Sequence, residues 1–374
     1  MDSGNKLFLL DAYALIYRAY YAFIKNPRIN SKGFNTSAIL GFVNTLEEVL
    51  KKENPTHIGV AFDPSGPTFR HEAFEQYKAQ REETPEAIRL SVPIIKDIIR
   101  AYRIPILEVA GYEADDVIGT LATEAGQQGI TTYMMTPDKD YGQLVSENAF
   151  MYRPKHTGGF EVMGIEQVKA KFDIQFTQQV IDMLGLMGDA SDNIPGCPGV
   201  GEKTAQKLIS EFGSIENLLE HTNELKGALK TKVENNREMI TFSKFLATIK
   251  IDVPIKLDMK ALVREEPNEE ELRKIFEELE FRTLIDRVLK KSSSPSPSSV
   301  APDLFSPGPL FTQNNGPVQG NLFEEFASNG PEDSKNSNLA RLETINADYQ
   351  LIDTEEKRRK IIKKLLTTKI LSID

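Results

Sequence analysis

Short apolar runs alternate with amphipathic stretches through the first 150 residues of this 374-residue chain. The runs have the length of buried strands and lie at 7–10, 58–62, 104–109 and 131–135. The amphipathic stretches have helical spacing, with glycine and proline at the joints, and lie at 36–52, 85–102 and 114–128. This alternation predicts an α/β fold in which helices cover both faces of a parallel sheet.

The pattern becomes entirely helical from about Gly164. Six further segments have a helical period, at 167–172, 177–187, 203–212, 215–220, 225–235 and 237–249. We therefore expect an α/β domain over 1–163 and a smaller helical subdomain over 164–289.

Composition changes again after residue 289. Residues 290–340 are rich in Ser, Pro, Gly and Asn, so they bury too little apolar surface to offset the entropy of ordering. We expect a disordered linker there. Residues 341–374 then follow a strand, helix, strand pattern that is too short to make a domain, so we interpret it as the start of a truncated one.

Charge and cysteine content narrow the class of protein. Asp11 interrupts the first apolar stretch before it reaches the length of a secretory signal or a membrane span, so we expect no membrane association. The single cysteine, Cys197, excludes an internal disulfide framework and suits a reducing cytoplasm. The net charge of -10 argues against nucleic-acid binding, unless clustered carboxylates are neutralised by bound cations.

Acidic residues follow each of the four predicted strands. They are Asp11, Asp63, Glu113, Asp115, Asp116, Asp138 and Asp140. Because the carboxyl ends of parallel strands meet at one edge of a sheet, we expect these side chains to converge there. Asp189 and Asp192 add two carboxylates on one side of a helical turn. For any one of these acids alone, a helix cap or a solvated surface group is the competing interpretation.

Such a cluster repels itself strongly unless cations relieve it. Oxygen ligands without clustered His or Cys suit Mg²⁺ or Mn²⁺ better than zinc. Two such ions about 4 Å apart can activate a water molecule and stabilise the leaving oxygen of an in-line displacement. The predicted chemistry is therefore hydrolysis of a phosphodiester bond.

Three motifs resemble the 5′ nuclease domain of bacterial DNA polymerase I, over about residues 6–287. They are GYEADD from Gly111, TPDKD from Thr136, and GLMGDASDNIPGCPGVGEKTA from Gly185. The resemblance implies a PIN-like nuclease sheet with a helix-hairpin-helix subdomain, acting on 5′ flaps and ends during primer removal and repair. It assigns a first metal site to Asp11, Asp63, Glu113, Asp115 and Asp116, and a second to Asp138, Asp140, Asp189 and Asp192.

A second group of residues is suited to DNA phosphates. Spacing predicts Arg70, Tyr77, Lys78 and Arg81 on one helical face, which offers cations and a ring to a single strand. The resemblance places this stretch in a helical arch over about 66–103, where Lys78 and Arg81 hold the scissile phosphate and Tyr77 stacks on a base. It also places Arg18 near the active site. A solvated amphipathic helix is the alternative.

A glycine-rich turn precedes the helix that begins near residue 202. Its backbone N–H groups and the positive end of the helix suit a phosphate. We therefore expect this turn to contact the phosphates of duplex DNA without recognising its bases. The residues are Gly196, Gly199, Gly201, Lys203, Thr204 and Lys207. In the resembling family this hairpin often binds a monovalent cation, which implies K⁺ here.

Within the predicted linker, Gln319, Leu322 and Phe323 resemble the short peptide that docks bacterial polymerases on the sliding clamp; sticky linker positions are the alternative. The tail resembles the start of a 3′-5′ exonuclease-like domain, in which Asp374 would be the first metal-binding acid.

Together these features predict a monomeric, structure-specific 5′-3′ exonuclease or flap endonuclease of the bacterial cytoplasm, associated with the nucleoid and without polymerase activity in this chain. The alternatives are a free-standing flap endonuclease, a PIN-type ribonuclease, or a DNA-binding module that does not cleave.

Overall fold

The structure is a computed structural model that describes residues 4–155 and 158–289. The predicted linker, the predicted strand, helix, strand pattern, the clamp-type residues Gln319, Leu322 and Phe323, and Asp374 all lie outside the described residues. Within the described residues, no helix is both long and apolar enough to cross a lipid bilayer.

A six-stranded sheet forms the centre of the α/β part. Its strands are β1 Lys6–Asp11, β2 His57–Ala61, β3 Ile106–Leu107, β4 Thr131–Met135, β5 Ala149–Pro154 and β6 Phe160–Met163, in the order β3-β2-β1-β4-β5-β6. Strands β1 to β5 are parallel, and β6 pairs antiparallel with β5. The four predicted strands are confirmed, although β3 is only two residues long. The strands β5 and β6 were not predicted.

Five helices surround this sheet: α1 Ala12–Ala22, α2 Ser37–Lys52, α3 Phe69–Ala73, α4 Glu86–Ala101 and α5 Ala114–Gln127. Side chains alternate across a strand, so β1 serves both faces. Phe8 and Leu10 pack in a core with α1, α2 and α4, whereas Leu7 and Leu9 pack in a core with α5. The sequence pattern missed α1 because it follows β1 without a break.

Within residues 164–289, eight α-helices follow the sheet: α6 Ile165–Phe172, α7 Gln179–Met187, α8 Glu202–Phe212, α9 Ile215–Glu220, α10 Gly227–Asn235, α11 Arg237–Ala247, α12 Glu269–Glu278 and α13 Arg282–Leu289. The first six match the six predicted segments. Helix α7 packs against α8 and α11, and its apolar side chains join the same core as α5.

Helices α12 and α13 were not predicted as separate elements, and they pack elsewhere. Leu272, Phe276 and Leu284 join the core around α2 and α4 on the other face of the sheet. The backbone N–H of Asn268 donates to the carbonyl of Ala101 at 2.7 Å, which fixes the start of α12 against α4. The last helices of the predicted helical subdomain thus contribute to the α/β core. The predicted domain boundaries stay predictions.

Candidate metal centre

Asp11 is the last residue of β1, and Asp63 lies two residues after the end of the neighbouring strand β2. The Asp11 carboxylate caps α1 by accepting from the Ala14 N–H at 3.1 Å, and Tyr141 donates to it at 3.1 Å. Asp63 accepts from the Ala114 N–H at 2.7 Å, at the start of α5. Burial, followed by the charge of Asp63, raises the pKa of Asp11 to about 7. Burial also raises the pKa of Asp63.

The amino end of α5 supplies three more acids. Oxygens of Glu113, Asp115 and Asp116 lie within 4.8 Å of one another. Burial and the adjacent Asp116 raise the pKa of Asp115 well above its ordinary value. Burial also disfavours the charged form of Glu113, but Lys78 and Arg70 outweigh it and lower its pKa. The positive end of α5 favours negative charge at this position.

The remaining four acids form a second group. The Lys139 ammonium pairs with Asp189 at 3.0 Å. Desolvation raises the pKa of Asp138 and, together with Asp138 and Asp189, raises that of Asp140 well above its ordinary value. Burial opposes the charge of Asp192, but Lys78 and Arg81 outweigh it and lower its pKa to about 2.

The two groups interact electrostatically. The pKa of Asp11 is raised in part by Asp63 and Asp138, and that of Asp138 in part by Asp189 and Asp192. Acids that follow separate strands, Asp11, Asp63 and Asp138, thus lie near enough to affect one another, whereas among the described residues a set of three carboxylates within 4.8 Å is found only for Glu113, Asp115 and Asp116. The assignment of individual acids to particular ions stays a prediction.

The residues present fit hard divalent cations. All the grouped side chains offer carboxylate oxygens, which is the donor set that such ions prefer. The Oδ1 atom of Asp140 is buried and has no hydrogen-bond partner within the described part of the chain. A buried acceptor without a partner is costly unless a ligand completes it.

Residues 74–81 differ from the prediction of one continuous helical face, which is wrong. Helix α3 ends at Ala73, Phe74 is extended, and Lys78 has a left-handed backbone with φ 57°. The chain therefore turns toward the loop around Asp192, and the Lys78 N–H donates to the Asp192 carbonyl at 3.0 Å.

The side chains of this turn point at the carboxylates. Lys78 lies 2.6 Å from Glu113 and 3.6 Å from Asp192, and Arg81 lies 2.5 Å from Asp192. The Tyr77 hydroxyl lies 3.0 Å from an oxygen of Glu113 and 3.0 Å from an oxygen of Asp192, and it donates its single proton to one of them. The ring of Tyr77 is 3% exposed, so in this conformation it cannot stack on a base as predicted.

Arg70 also departs from its predicted role. Its side chain is buried and binds Glu113 and Asp116, at 3.0 and 2.8 Å, instead of facing solvent as a DNA ligand would. Arg18 lies partly buried on α1, where burial lowers its pKa against the opposing effect of Glu48. The predicted role of Arg18 near the active site stays a prediction.

Two glycines of the glycine-rich turn have a left-handed backbone, which glycine adopts without strain. Gly196 and Gly199 have φ of 62° and 75°, and a Cβ on Gly196 would lie 2.3 Å from the Gly188 nitrogen. The Gly196 N–H is already bound to the Ser243 hydroxyl at 2.9 Å, so it does not face a phosphate. Cys197 is buried in this turn, and burial raises its pKa.

The start of α8 is more open. Gly201 precedes α8 with open space around its Cα. Lys203 and Lys207 are exposed and Thr204 is partly exposed. These positions remain accessible to a large ligand.

Sequence reasoning missed Lys139 and Tyr141. Lys139 pairs with Asp189, and Tyr141 binds Asp11 from a buried position. Their place beside Asp138 and Asp140 was the signal available in the sequence, because neighbours of metal-binding acids commonly orient them.

Comparisons with known proteins agree with this fold. A family model described as 5′-3′ exonuclease, N-terminal resolvase-like domain, matches residues 6–173, and one described as 5′-3′ exonuclease, C-terminal SAM fold, matches residues 176–270. These matches confirm the predicted fold class, a PIN-like α/β domain followed by a helical domain.

Among curated relatives, DNA polymerase I of Bacillus caldotenax is 41% identical over 292 residues, covering 77% of this chain and 33% of that protein. The chain thus spans about a third of the length of that polymerase. A 5′-3′ exonuclease of Aquifex aeolicus is 36% identical over 78% of this chain and 98% of its own length.

Two solved structures share the fold. The T5 D15 protein co-crystallized with metal ions has a TM-score of 0.56 and 18% identity, covering 74% of this chain and 98% of that one. The catalytic core of Rad2 in complex with DNA substrate has a TM-score of 0.53 and 18% identity, covering 77% of this chain and 93% of that one.

Proposed function

We propose that this chain hydrolyses DNA phosphodiesters at 5′ flaps, nicks and ends. The chain belongs to the 5′-3′ exonuclease family, and the proposal follows from that membership. The observation that carries the proposal is the convergence of acids from separate strands at one edge of the sheet. Burial and mutual repulsion raise the pKa of Asp11, Asp115 and Asp140, and cation binding would relieve this repulsion.

The acids would hold two Mg²⁺ or Mn²⁺ ions, one near Asp11, Asp63, Glu113 and Asp115 and the other near Asp138, Asp140, Asp189 and Asp192. Two such ions would supply an activated water and neutralise the leaving oxygen. Lys78 and Arg81 would orient the scissile phosphate, because both side chains already reach the carboxylates from the turn at 74–81.

Duplex DNA would be held at the start of α8. Lys203 and Lys207 would contact phosphates, and the amino end of α8 would add its partial positive charge. Such contacts position a duplex without reading its bases. We also propose K⁺ at the glycine-rich turn, where left-handed glycines hold the backbone in a tight loop.

The role in the cell would be removal of RNA primers, maturation of Okazaki fragments and excision repair, by a monomer in the bacterial cytoplasm at the nucleoid. Its similarity to DNA polymerase I supports this role. A free-standing flap endonuclease is the second candidate, because the Aquifex exonuclease matches over 98% of its own length.

A contact with the sliding clamp through Gln319, Leu322 and Phe323 belongs to the same proposal. Purified clamp should retain the chain on a pulldown, and Leu322→Ala with Phe323→Ala should abolish retention. Unchanged retention by that double variant would remove the clamp from the proposal.

Cleavage of a labelled 5′-flap substrate with Mg²⁺ tests the main proposal. We expect Asp140→Asn to lower the rate at least about 100-fold, since each tenfold loss is about 1.4 kcal/mol and a bound metal supplies several. Asp97→Asn is the matched control, because that acid is exposed on α4 and pairs with Arg100, three residues later on the same helix. A wild-type chain that binds flaps but never cuts them would be a binding module instead.

A further inference from the structure

Arg70 and Asp116 form a buried, two-pronged ion pair beside the candidate metal centre. Their side chains are 2% and 0% exposed. Arg70 Nη1 donates to Asp116 Oδ2 and Nη2 donates to Oδ1, both at 2.8 Å. This parallel geometry is the strongest way in which a guanidinium binds a carboxylate.

The carboxylate of Asp116 has no acceptor site left for a cation. Besides Arg70, its Oδ2 accepts from the Glu113 N–H at 3.1 Å and its Oδ1 accepts from the Lys250 N–H at 2.7 Å. A carboxylate offers about four lone-pair sites, so these four bonds occupy them. Direct ligation of an ion would therefore strand a buried donor.

Asp115 provides the contrast one residue earlier. Its side chain is 26% exposed, and its Oδ1 accepts from the Asp116 N–H at 2.7 Å. The Arg70 Nη1 atom lies 4.0 Å from that oxygen, which is beyond hydrogen-bond distance. Asp115 therefore keeps acceptor sites that an ion can use.

Arg70 is equally saturated as a donor. Its Nε donates to the Leu246 carbonyl at 2.9 Å, and Nη2 donates to the Thr248 carbonyl at 2.8 Å, at the carboxyl end of α11. Nη1 donates to Glu113 at 3.0 Å in addition to Asp116. Since a guanidinium has five N–H donors, none remains for a DNA phosphate.

We propose that Arg70 and Asp116 are positioning residues that fix the Glu113 carboxylate relative to α11 and contact neither the metal ions nor DNA. The pair connects three segments that are far apart in sequence, namely α3, the amino end of α5 and the end of α11. This inference rests on the proposed function, in which Glu113 binds a metal ion.

Direct binding of Mn²⁺, measured by calorimetry without DNA, tests the role of Asp116. In Asp116→Asn the amide nitrogen faces donors of Arg70 and of the backbone, so the melting temperature in EDTA should fall, while Mn²⁺ stoichiometry stays at the wild-type value and Mn²⁺ affinity falls by less than in Asp115→Asn. Asp115→Asn should weaken binding about 10-fold or more. Equal weakening in the two variants would show that Asp116 is a ligand and would overturn the proposal.

Arg70→Lys tests the role of Arg70, because lysine keeps the positive charge but cannot make the two parallel hydrogen bonds to Asp116. We expect kcat on a flap substrate to fall about 10- to 100-fold, with KM and flap affinity in Ca²⁺ unchanged. Arg264→Lys is the control, since Arg264 bonds Leu50 and Asn54 away from the acids, and it should lower only the melting temperature. A proportional loss of flap affinity in Arg70→Lys would make Arg70 a DNA ligand. The Mn²⁺ titration does not depend on cleavage. If the wild-type chain never cuts DNA, the proposed function is refuted, and the titration still tests the positioning role of Asp116 by itself.

Discussion

The two halves of the acidic cluster are neutralised by different means. Around Glu113 and Asp116 the protein supplies its own cations, with Arg70 and Lys78 in direct contact. Around Asp138 and Asp140 the described chain supplies Lys139, which pairs with Asp189, while Asp140 Oδ1 has no partner. Glu113 and Asp116 are thus balanced by protein cations on folding, whereas Asp138 and Asp140 depend on bound ions for their charge balance. Removing a carboxylate should therefore have opposite effects in the two halves.

The largest effect should follow Glu113→Gln. Glu113 pairs with both Lys78 and Arg70, and the substitution removes its charge from both pairs. Breaking a buried ion pair typically lowers the free energy of unfolding by about 3 kcal/mol or more. We expect a matching loss of stability in the metal-free protein, measured by urea unfolding in EDTA. Glu108→Gln is the control, because its pair with Lys96 is more exposed. Equal losses in the two variants would contradict the comparison.

The next largest effect should be on the dependence of stability on pH. Because the folded pKa of Asp11 is about 7, above its ordinary 3.8, folding takes up a proton. The stabilisation that comes from this proton is on the order of a few kcal/mol. It is fully present below the ordinary pKa of 3.8 and is lost as pH rises through 7. In EDTA, melting temperature should fall between pH 5 and pH 8, and Mg²⁺ should raise it most at pH 8. A pH-independent melting temperature would oppose this view of the cluster.

A gain of stability is expected for Asp140→Asn in EDTA. Burial and the neighbouring charges of Asp138 and Asp189 raise the pKa of Asp140. The substitution removes the repulsion between Asp140 and these two carboxylates. The gain should be about 1 kcal/mol, within the usual range for a single substitution. The same unfolding curves, repeated with Mg²⁺, should show the gain disappear, because the variant loses a ligand. Destabilisation in EDTA would indicate that groups of the protein already balance the charge of Asp140.

The smallest effect should come from Lys139→Met. Among the described residues the Lys139 side chain makes one ion pair, with Asp189, whereas Glu113 pairs with both Lys78 and Arg70, so the loss in EDTA should be smaller than that of Glu113→Gln, on the order of 1 kcal/mol. A loss as large as that of Glu113→Gln would mean that protein cations balance both halves equally.

The strands and the convergence of acids could be predicted from sequence because they follow local rules. A parallel sheet brings the residues after its strands to one edge, and Asp11 and Asp63 each follow a short apolar run. The turn at 74–81 could not be predicted in this way. Its conformation depends on Lys78 in a left-handed conformation and on contacts with Asp192, more than 100 residues later in the chain.

Arg70 illustrates the same limit for a single side chain. Its spacing from Lys78 and Arg81 indicates an exposed basic face, yet its acceptors come from α5 and from the end of α11. Only the packing of α11 against the α/β part reveals that this arginine is buried. Helices α12 and α13 were missed for a related reason, since their apolar faces are matched by residues of α2 and α4.

The single thiol of the chain lies inside the glycine-rich turn. Cys197 is 2% exposed, and its Sγ lies 3.9 Å from the Lys232 carbonyl. Reagents that alkylate sulfhydryls therefore react only when this turn opens. The labelling rate of the unmodified chain consequently serves as a built-in kinetic reporter of that opening.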